Sequence, residues 1–371
     1  MFYLELLRPI TVKENTISKL ANTMKNKLLI GVFVLVAGIA LYAIFTKKTS
    51  TIVGDLRDFA VSDTASIDKL FLVDRDGNKS VLTRVSAGKW MVNNKYNARQ
   101  ESINNLLNTI KSLEVKSPVG KNLYNNTMKL MASKSVKIEI YQNGNLVKTY
   151  YVGHPTMDNL GTFMYIEKST VPYIMHIPGF NGFLSTRYLT KENDWRERYI
   201  FHFDPRTIVG INIVNSTKLD RSFSIARNPD STYNLSYTRP AIKQVPYDIV
   251  KLRKYLDVFS NTNFERVDVR LGKVEADSIL KTPPFASVSV TDDRNYTKTI
   301  ILYRKPVTAS SRNQFDENTG KPLQFDMDRF YTRIDGSDEW FICQYFHFDR
   351  VMITPEILMP GKASIAPENR Y

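Results

Sequence analysis

Two stretches of this chain carry the same succession of strand, turn and helix patterns about 145 residues apart, and that repetition constrains the fold more than any single segment. The tetrapeptide Phe201-His202-Phe203-Asp204 recurs as Phe346-His347-Phe348-Asp349, and the surrounding patterns recur in order. Ile67–Val73 and Ile208–Val214 both alternate apolar and polar residues, the period of a half-buried strand. A hairpin follows, closed in the first copy by Asp76-Gly77, a strong tight-turn dipeptide. Lys89–Val92 then matches Thr232–Leu235. Ile103, Leu106, Leu107, Ile110 and Leu113 form a helical stripe, repeated by Ile249, Leu252, Leu256 and Phe259. Second helical segments, Leu123–Ala132 and Val274–Leu280, lead into further hairpins: Ser135–Ile140 with Lys148–Val152 around Asn143-Gly144, and Ser287–Val290 with Lys298–Leu302 around Asp292-Asp293. The last pairs are Phe163–Ile166 with Tyr173–Met175 and Phe330–Ile334 with Glu339–Cys343.

The expected fold class is therefore α+β: an N-terminal transmembrane helix, then two tandem hairpin-rich units whose helices cover one face of each antiparallel sheet. The first unit with its connector is expected over residues 60–205 and the second over 206–350, after a linker at 47–59 and before a C-terminal tail at 351–371. Trp90, Tyr150 and Phe163 are expected in the core or on a sheet face. The charged connector 185–204 contains Trp195 between acids and arginines, and is expected to dock the two units. The second unit carries a polar insertion, Val307–Gln324, longer than an ordinary connection and so either mobile or functional.

Residues 28–46 are uncharged and almost wholly apolar, long enough as a helix to cross a hydrocarbon core of roughly 30 Å. The competing readings are a cleaved signal peptide and a buried core helix. The run exceeds the apolar region of a signal peptide, Gly38-Ile39-Ala40 is a poor cleavage match, and Lys47-Lys48 follows as a stop, which favours an uncleaved signal anchor. Arg8, Lys13, Lys19, Lys25 and Lys27 precede the span against Lys47, Lys48 and Arg57 after it, so the short tail 1–27 is expected in the cytoplasm and the bulk of the chain outside. Met24 also reads as a start, which would make residues 1–23 an upstream extension rather than a tail.

Chemistry is not legible. The four histidines, His154, His176, His202 and His347, form no zinc pattern, and no phosphate loop, dinucleotide fingerprint or nucleophile elbow is present. His202 with Asp204, and His347 with Asp349, would share a face if each tetrapeptide were a strand, yet a solvated strand end is the expected reading. Cys343, the only cysteine, excludes disulfides and lies in the apolar run Trp340–Phe346, where it is expected to act as a small buried hydrophobe. Asp74–Asn78 reads as a hairpin turn rather than a calcium loop, since no glutamate closes it. No catalytic, cofactor-binding or metal-binding residue is assigned, and no cofactor is expected. The net charge of +14 is scattered among acids, not massed in a stripe, so nucleic acid is not an expected partner.

The order of apolar span, Lys47-Lys48, Leu56–Val61, Asp63–Ile67, Asp76-Gly77 and Lys89–Asn93 resembles a bacterial envelope family catalogued as a domain of unknown function, numbered four-three-four-zero. The resemblance covers about residues 24–350. It implies a membrane-anchored exterior domain of the kind that accompanies auxiliary proteins of gliding-motility-type ABC transporters, and it supplies no catalytic residues. The leading expectation is a non-enzymatic periplasmic protein, held on the inner membrane by one N-terminal helix, that binds or scaffolds another envelope protein. A glycan- or lipid-binding module using exposed Tyr165, Tyr173 or Tyr331 is the second, and an exterior hydrolase built on His202/Asp204 or His347/Asp349 the third.

Overall fold

The computed structural model describes residues 58–238 and 242–362. Its first unit runs β1 (Ile67–Val73), β2 (Lys79–Ser86), β3 (Lys89–Val92), β4 (Tyr96–Asn97), α1 (Gln100–Ser112), β5 (Glu114–Pro118), α2 (Lys121–Lys134), β6 (Val136–Gln142), β7 (Asn145–Pro155), β8 (Thr162–Ile166) and β9 (Tyr173–His176). A connector contributes α3 (Glu192–Trp195) and β10 (Tyr199–Phe201). The second unit runs β11 (Ile208–Asn215), β12 (Phe223–Arg227), β13 (Tyr233–Tyr237), β14 (Ile242–Val245), α4 (Ile249–Asp257), β15 (Thr262–Asn263), β16 (Arg266–Val267), α5 (Lys273–Leu280), β17 (Ala286–Asp292), β18 (Thr297–Pro306), β19 (Phe325–Ile334), β20 (Phe341–Gln344) and α6 (Tyr345–Phe348).

Each unit is a nine-stranded antiparallel sheet. The orders are β4-β3-β2-β1-β6-β7-β8-β9-β5 and β14-β13-β12-β11-β17-β18-β19-β20-β16, the same path twice. In both, a helix leaves one edge strand and carries the chain across the sheet to the opposite edge. The α1 stripe Ile103, Leu106, Leu107 and Ile110 packs on Leu70, Leu82, Ile138 and Tyr150, and in the second core Leu252 and Leu256 of α4 lie with Ile211, Val288 and Leu302. Strand alternation sends neighbouring residues to the other face. There Phe163, Tyr151 and Ile174 meet Met131 of α2, while Tyr303, Tyr331 and Ile342 meet Ile279 of α5.

The α+β expectation is thereby corrected. The described residues are mostly antiparallel sheet, with helix the minor component, and the helices lie on both faces rather than one. A stripe in a sequence shows that a helix has an apolar side but not which sheet face that side will cover. Edge strands such as β4 and β16, two residues each, carry no periodicity to read and add to the sheet. The transmembrane helix of the expected fold is withdrawn from it: among the described residues no helix is long and apolar enough to cross a membrane, and the span 28–46, with the tail 1–27, lies outside them.

The recurring tetrapeptide Phe-His-Phe-Asp occupies two non-equivalent places. Phe201 and Phe203 enter the second core just before β11, as Phe59 and Val61 enter the first before β1. Phe346–Phe348 instead lies in α6, after the last strand, where Phe348 packs edge-on against Phe330 at 5.1 Å. The spacing of true equivalents grows along the chain, from Ile67 and Ile208 at the first strands to Tyr173 and Phe341 at the last. The insertion in the second unit accounts for much of that growth. It folds back on itself through a Phe315–Pro322 bridge, and its base is held by Ser311 and Lys305, both bonded to the buried Asp326 at 2.8 and 3.2 Å.

Candidate functional site

The residues with possible chemistry do not converge. His202 passes Nδ1 to the Ser260 carbonyl at 2.8 Å and stacks on Tyr199 at 4.2 Å, while Asp204 is taken by Arg206, whose hydrogen bonds hold its carboxyl at about 2. His347 stands exposed on α6, and Asp349 caps that helix by its backbone. His154 packs on Phe163, and burial lowers its pKa; His176 sits in β9 opposite Glu114. Cys343 is fully buried, accepts a hydrogen bond from the Thr332 hydroxyl, and has its thiol pushed up to about 12 by burial. Among the described residues no cluster of three His, Cys, Asp or Glu could hold a metal ion. Tyr173 and Tyr331 are 5% exposed, which removes them from the aromatic surface of the second expectation, while Tyr165 is half-buried and donates its hydroxyl to the Ser169 carbonyl. Asp74 closes its turn by accepting from Asp76 and Asn78 backbone N–H groups, and it also takes the Thr190 hydroxyl of the connector at 2.6 Å.

What the fold does build is a junction. Trp195 is buried in the first core and Ile200 in the second, so the four residues between them, 196–199, carry the chain from one hydrophobic interior to the other. On one side this segment is laced to the β4–α1 corner: Arg99 N–H donates to the Trp195 carbonyl at 2.7 Å and Glu197 N–H to the Asn97 carbonyl at 2.9 Å. On the other, β10 pairs with β15 and Phe264 N–H donates to the Arg198 carbonyl at 2.9 Å. A side-chain clamp closes the same junction. Arg196 makes a two-pronged bond to Glu339 at 2.7 and 2.8 Å, the Tyr96 hydroxyl donates to Glu339 at 3.0 Å, and the guanidinium lies 3.7 Å over the Tyr96 ring. Tyr96 belongs to the first unit and Glu339 to the second. The docking expected of Trp195 and its arginines is divided: Trp195 fills one core, and Arg196 makes the bridge.

Beside the clamp opens a polar cleft of about 680 Å³. The start of α1 forms one wall, the connector around Arg198 the floor, and Asn261–Glu265 with His347 and Arg350 the other wall. Arg99 is the N-cap residue of α1 and leaves that helix without a side-chain cap. Its Nη2 donates to the Asp194 carbonyl, and Arg350 donates to the Asn261 carbonyl at 2.6 Å. Burial, and then the like charge of Arg198, lower the pKa of Arg99, with Asp194 and Glu101 opposing. The Nε atoms of Arg99 and Arg198 are both buried with no hydrogen-bond partner among the described residues. Glu265 is occupied by Arg329 at 2.7 Å and by Gln344 at 3.0 Å. Of the cleft residues only His347 stands out in the sequence, through the recurring Phe-His-Phe-Asp; the arginines Arg99 and Arg198 lie among charges of both signs and do not. For Arg198 the available signal is the Trp-Arg-Glu-Arg run beginning at Trp195.

This arrangement defines a two-unit antiparallel β protein whose connector builds a cleft between the units. A family model described as Domain of unknown function (DUF4340) matches residues 90–283 of the 371, and the chain belongs to that family. The matched segment begins in β3 and ends before β17, so it takes in the α1 wall, the connector and Asn261–Glu265, but not α6. No curated protein matches the chain.

Proposed function

We propose that this protein is a non-enzymatic binding or scaffolding component of a bacterial envelope assembly serving transport, secretion or motility, with its bulk in the periplasm. The observation that carries the reading is the cleft: two separately cored units are laced and clamped together at one junction, and an open polar cavity lies there. A clamp of backbone ladders and a bidentate ion pair suits a platform whose two halves present one fixed surface. The dispersed histidines and the buried thiol supply no nucleophile–base pair, which favours binding over hydrolysis. The periplasmic location rests on the apolar run 28–46 and the basic residues before it. The resemblance of the 24–350 segment to the envelope family favours a gliding-motility-type ABC transporter as the assembly.

Photo-cross-linking in the native host tests the reading. A cross-linker replacing Gln100 or Asn263 at the cleft is expected to capture an envelope protein or ligand, and one replacing exposed Asp230, outside the cleft, is not. Equal capture at Asp230, or capture of cytoplasmic proteins alone, overturns it. Protease added to spheroplasts should digest residues 58–362; digestion of the N-terminal tail alone refutes the periplasmic placement.

A further inference from the structure

We propose that the cleft binds a doubly charged oxyanion, inorganic phosphate or the phosphomonoester of a larger ligand, between Arg99 and Arg198. This names the ligand class of the cleft and rests on the reading of the cleft as a binding site. The two guanidinium groups come from different elements, one capping α1 and one on the connector. Backbone bonds to Trp195 and from Phe264 fix both in place. Held together in a half-buried site, they repel: burial first, and then the like charge of Arg198, lower the pKa of Arg99. Arg198 has no side-chain hydrogen bond or ion pair among the described residues, and the Nε atoms of both arginines are buried without a partner. Arg99 keeps its bond to the Asp194 carbonyl, so the unmet demand lies at the two buried Nε atoms and at the half-buried Arg198 guanidinium, and a buried polar atom without a partner is costly.

Two adjacent guanidinium groups with unmet donors suit an anion that carries several oxygens. The planar guanidinium fork matches phosphate oxygens better than a point charge would. The α1 N-terminus, uncapped by any side chain, opens on the same wall through Gln100 and Glu101 and adds its free amides and the positive end of the helix dipole. Glu101, Glu197 and Glu265 also line the cleft. They disfavour an extended polyanion and leave room for a small, compact anion near the arginines.

Isothermal titration of the full chain in detergent, at ionic strength balanced with chloride, tests the proposal with inorganic phosphate and with glycerol 3-phosphate. Saturable binding of at least one is expected. Arg198→Gln should weaken it roughly tenfold or more, the worth of losing charge-assisted bonds. Arg206→Gln, at an arginine 89% exposed outside the cleft, should leave it unchanged. Without phosphate, Arg198→Gln should melt no lower than the parent protein, because it removes a repulsion and no bond. Tighter binding of glycerol 3-phosphate supports a phosphorylated ligand or headgroup, and tighter binding of phosphate supports the free ion. No saturable heat with either probe, or undiminished binding by Arg198→Gln, overturns the proposal. If cleft cross-linking persists in that case, the binding cleft survives and only its oxyanion ligand falls. Phosphate binding without cleft cross-links does the reverse.

Discussion

Replacing Arg196 by alanine should cost more than almost any other surface-reaching ion pair in this protein, because the side chain serves both units at once. It is 11% exposed, and its partner Glu339 is 34% exposed, so solvent screens the pair only in part. Two charge-assisted hydrogen bonds at 2.7 and 2.8 Å would be worth about 3 kcal/mol or more if fully buried; the exposure of Glu339 reduces this to about 1–2 kcal/mol. Lost stacking over Tyr96 adds about 0.5–1 kcal/mol. The expected total is about 1.5–3 kcal/mol, with a coupling energy between Arg196 and Glu339 of about 1–2 kcal/mol in a double-mutant cycle. Urea unfolding followed by circular dichroism measures both, and a transition that splits in two would report the units unfolding separately. The Arg206–Asp204 pair, 89% and 40% exposed, is the control and should couple weakly. A coupling below about 0.5 kcal/mol at Arg196–Glu339 refutes the clamp, being no more than an exposed pair gives. The pair also sets a pH dependence. Hydrogen bonds from Arg196 hold the Glu339 carboxyl below its ordinary range, against the opposing effect of burial. Its contribution is therefore complete above the ordinary glutamate range and disappears as pH falls through the lower, folded value. Arg196→Ala should flatten that part of the stability profile.

Three further outcomes follow from the packing. Cys343, with its thiol pushed up to about 12 by burial, should resist alkylation at pH 8 in the folded protein and react once urea unfolds it; rapid labelling of the native state contradicts its burial. Gly153→Ala should destabilise by about 1–3 kcal/mol in urea titration, because the added carbon would stand 2.9 Å from the Phe163 carbonyl oxygen and 3.0 Å from Met131; a neutral result would show that β7 and β8 are not so closely approached there. Asp326→Asn leaves Lys305, whose side chain is 5% exposed, without its counter-charge, and should cost about 3–5 kcal/mol and open the 307–324 insertion to limited proteolysis; unchanged cleavage there means the ion pair does not hold the loop.

Much of the sheet is legible from alternation. Ile67–Val73 reads as a strand because Ile67, Leu70 and Leu72 must reach one core, and Asn143-Gly144 reads as a hairpin because both residues take positive φ, 50° and 77°. The stripe at Ile103–Ile110 is legible for the same reason, since its spacing is that of one helix face. Edge strands are not. β5 belongs to the sheet because β9 lies beside it, and β9 starts more than fifty residues later. The recurring Phe-His-Phe-Asp misleads at this level: identical residues enter the second unit as a strand end and leave it as a helix. Arg99 and Arg198 give no local signal at all, since what distinguishes them is their nearness to each other.

The amino-acid sequence by itself determined the local shapes: which segments extend, which coil, where the chain turns, and that the pattern recurs. Those follow from side-chain periodicity and turn chemistry, which act over a few residues. Only the tertiary structure decided which face α2 and α5 cover, how the connector laces the two units, and that two arginines nearly a hundred positions apart stand over one cleft. Such pairings are settled by which distant surfaces exclude water and satisfy their backbone groups together, and no window along the chain contains both partners.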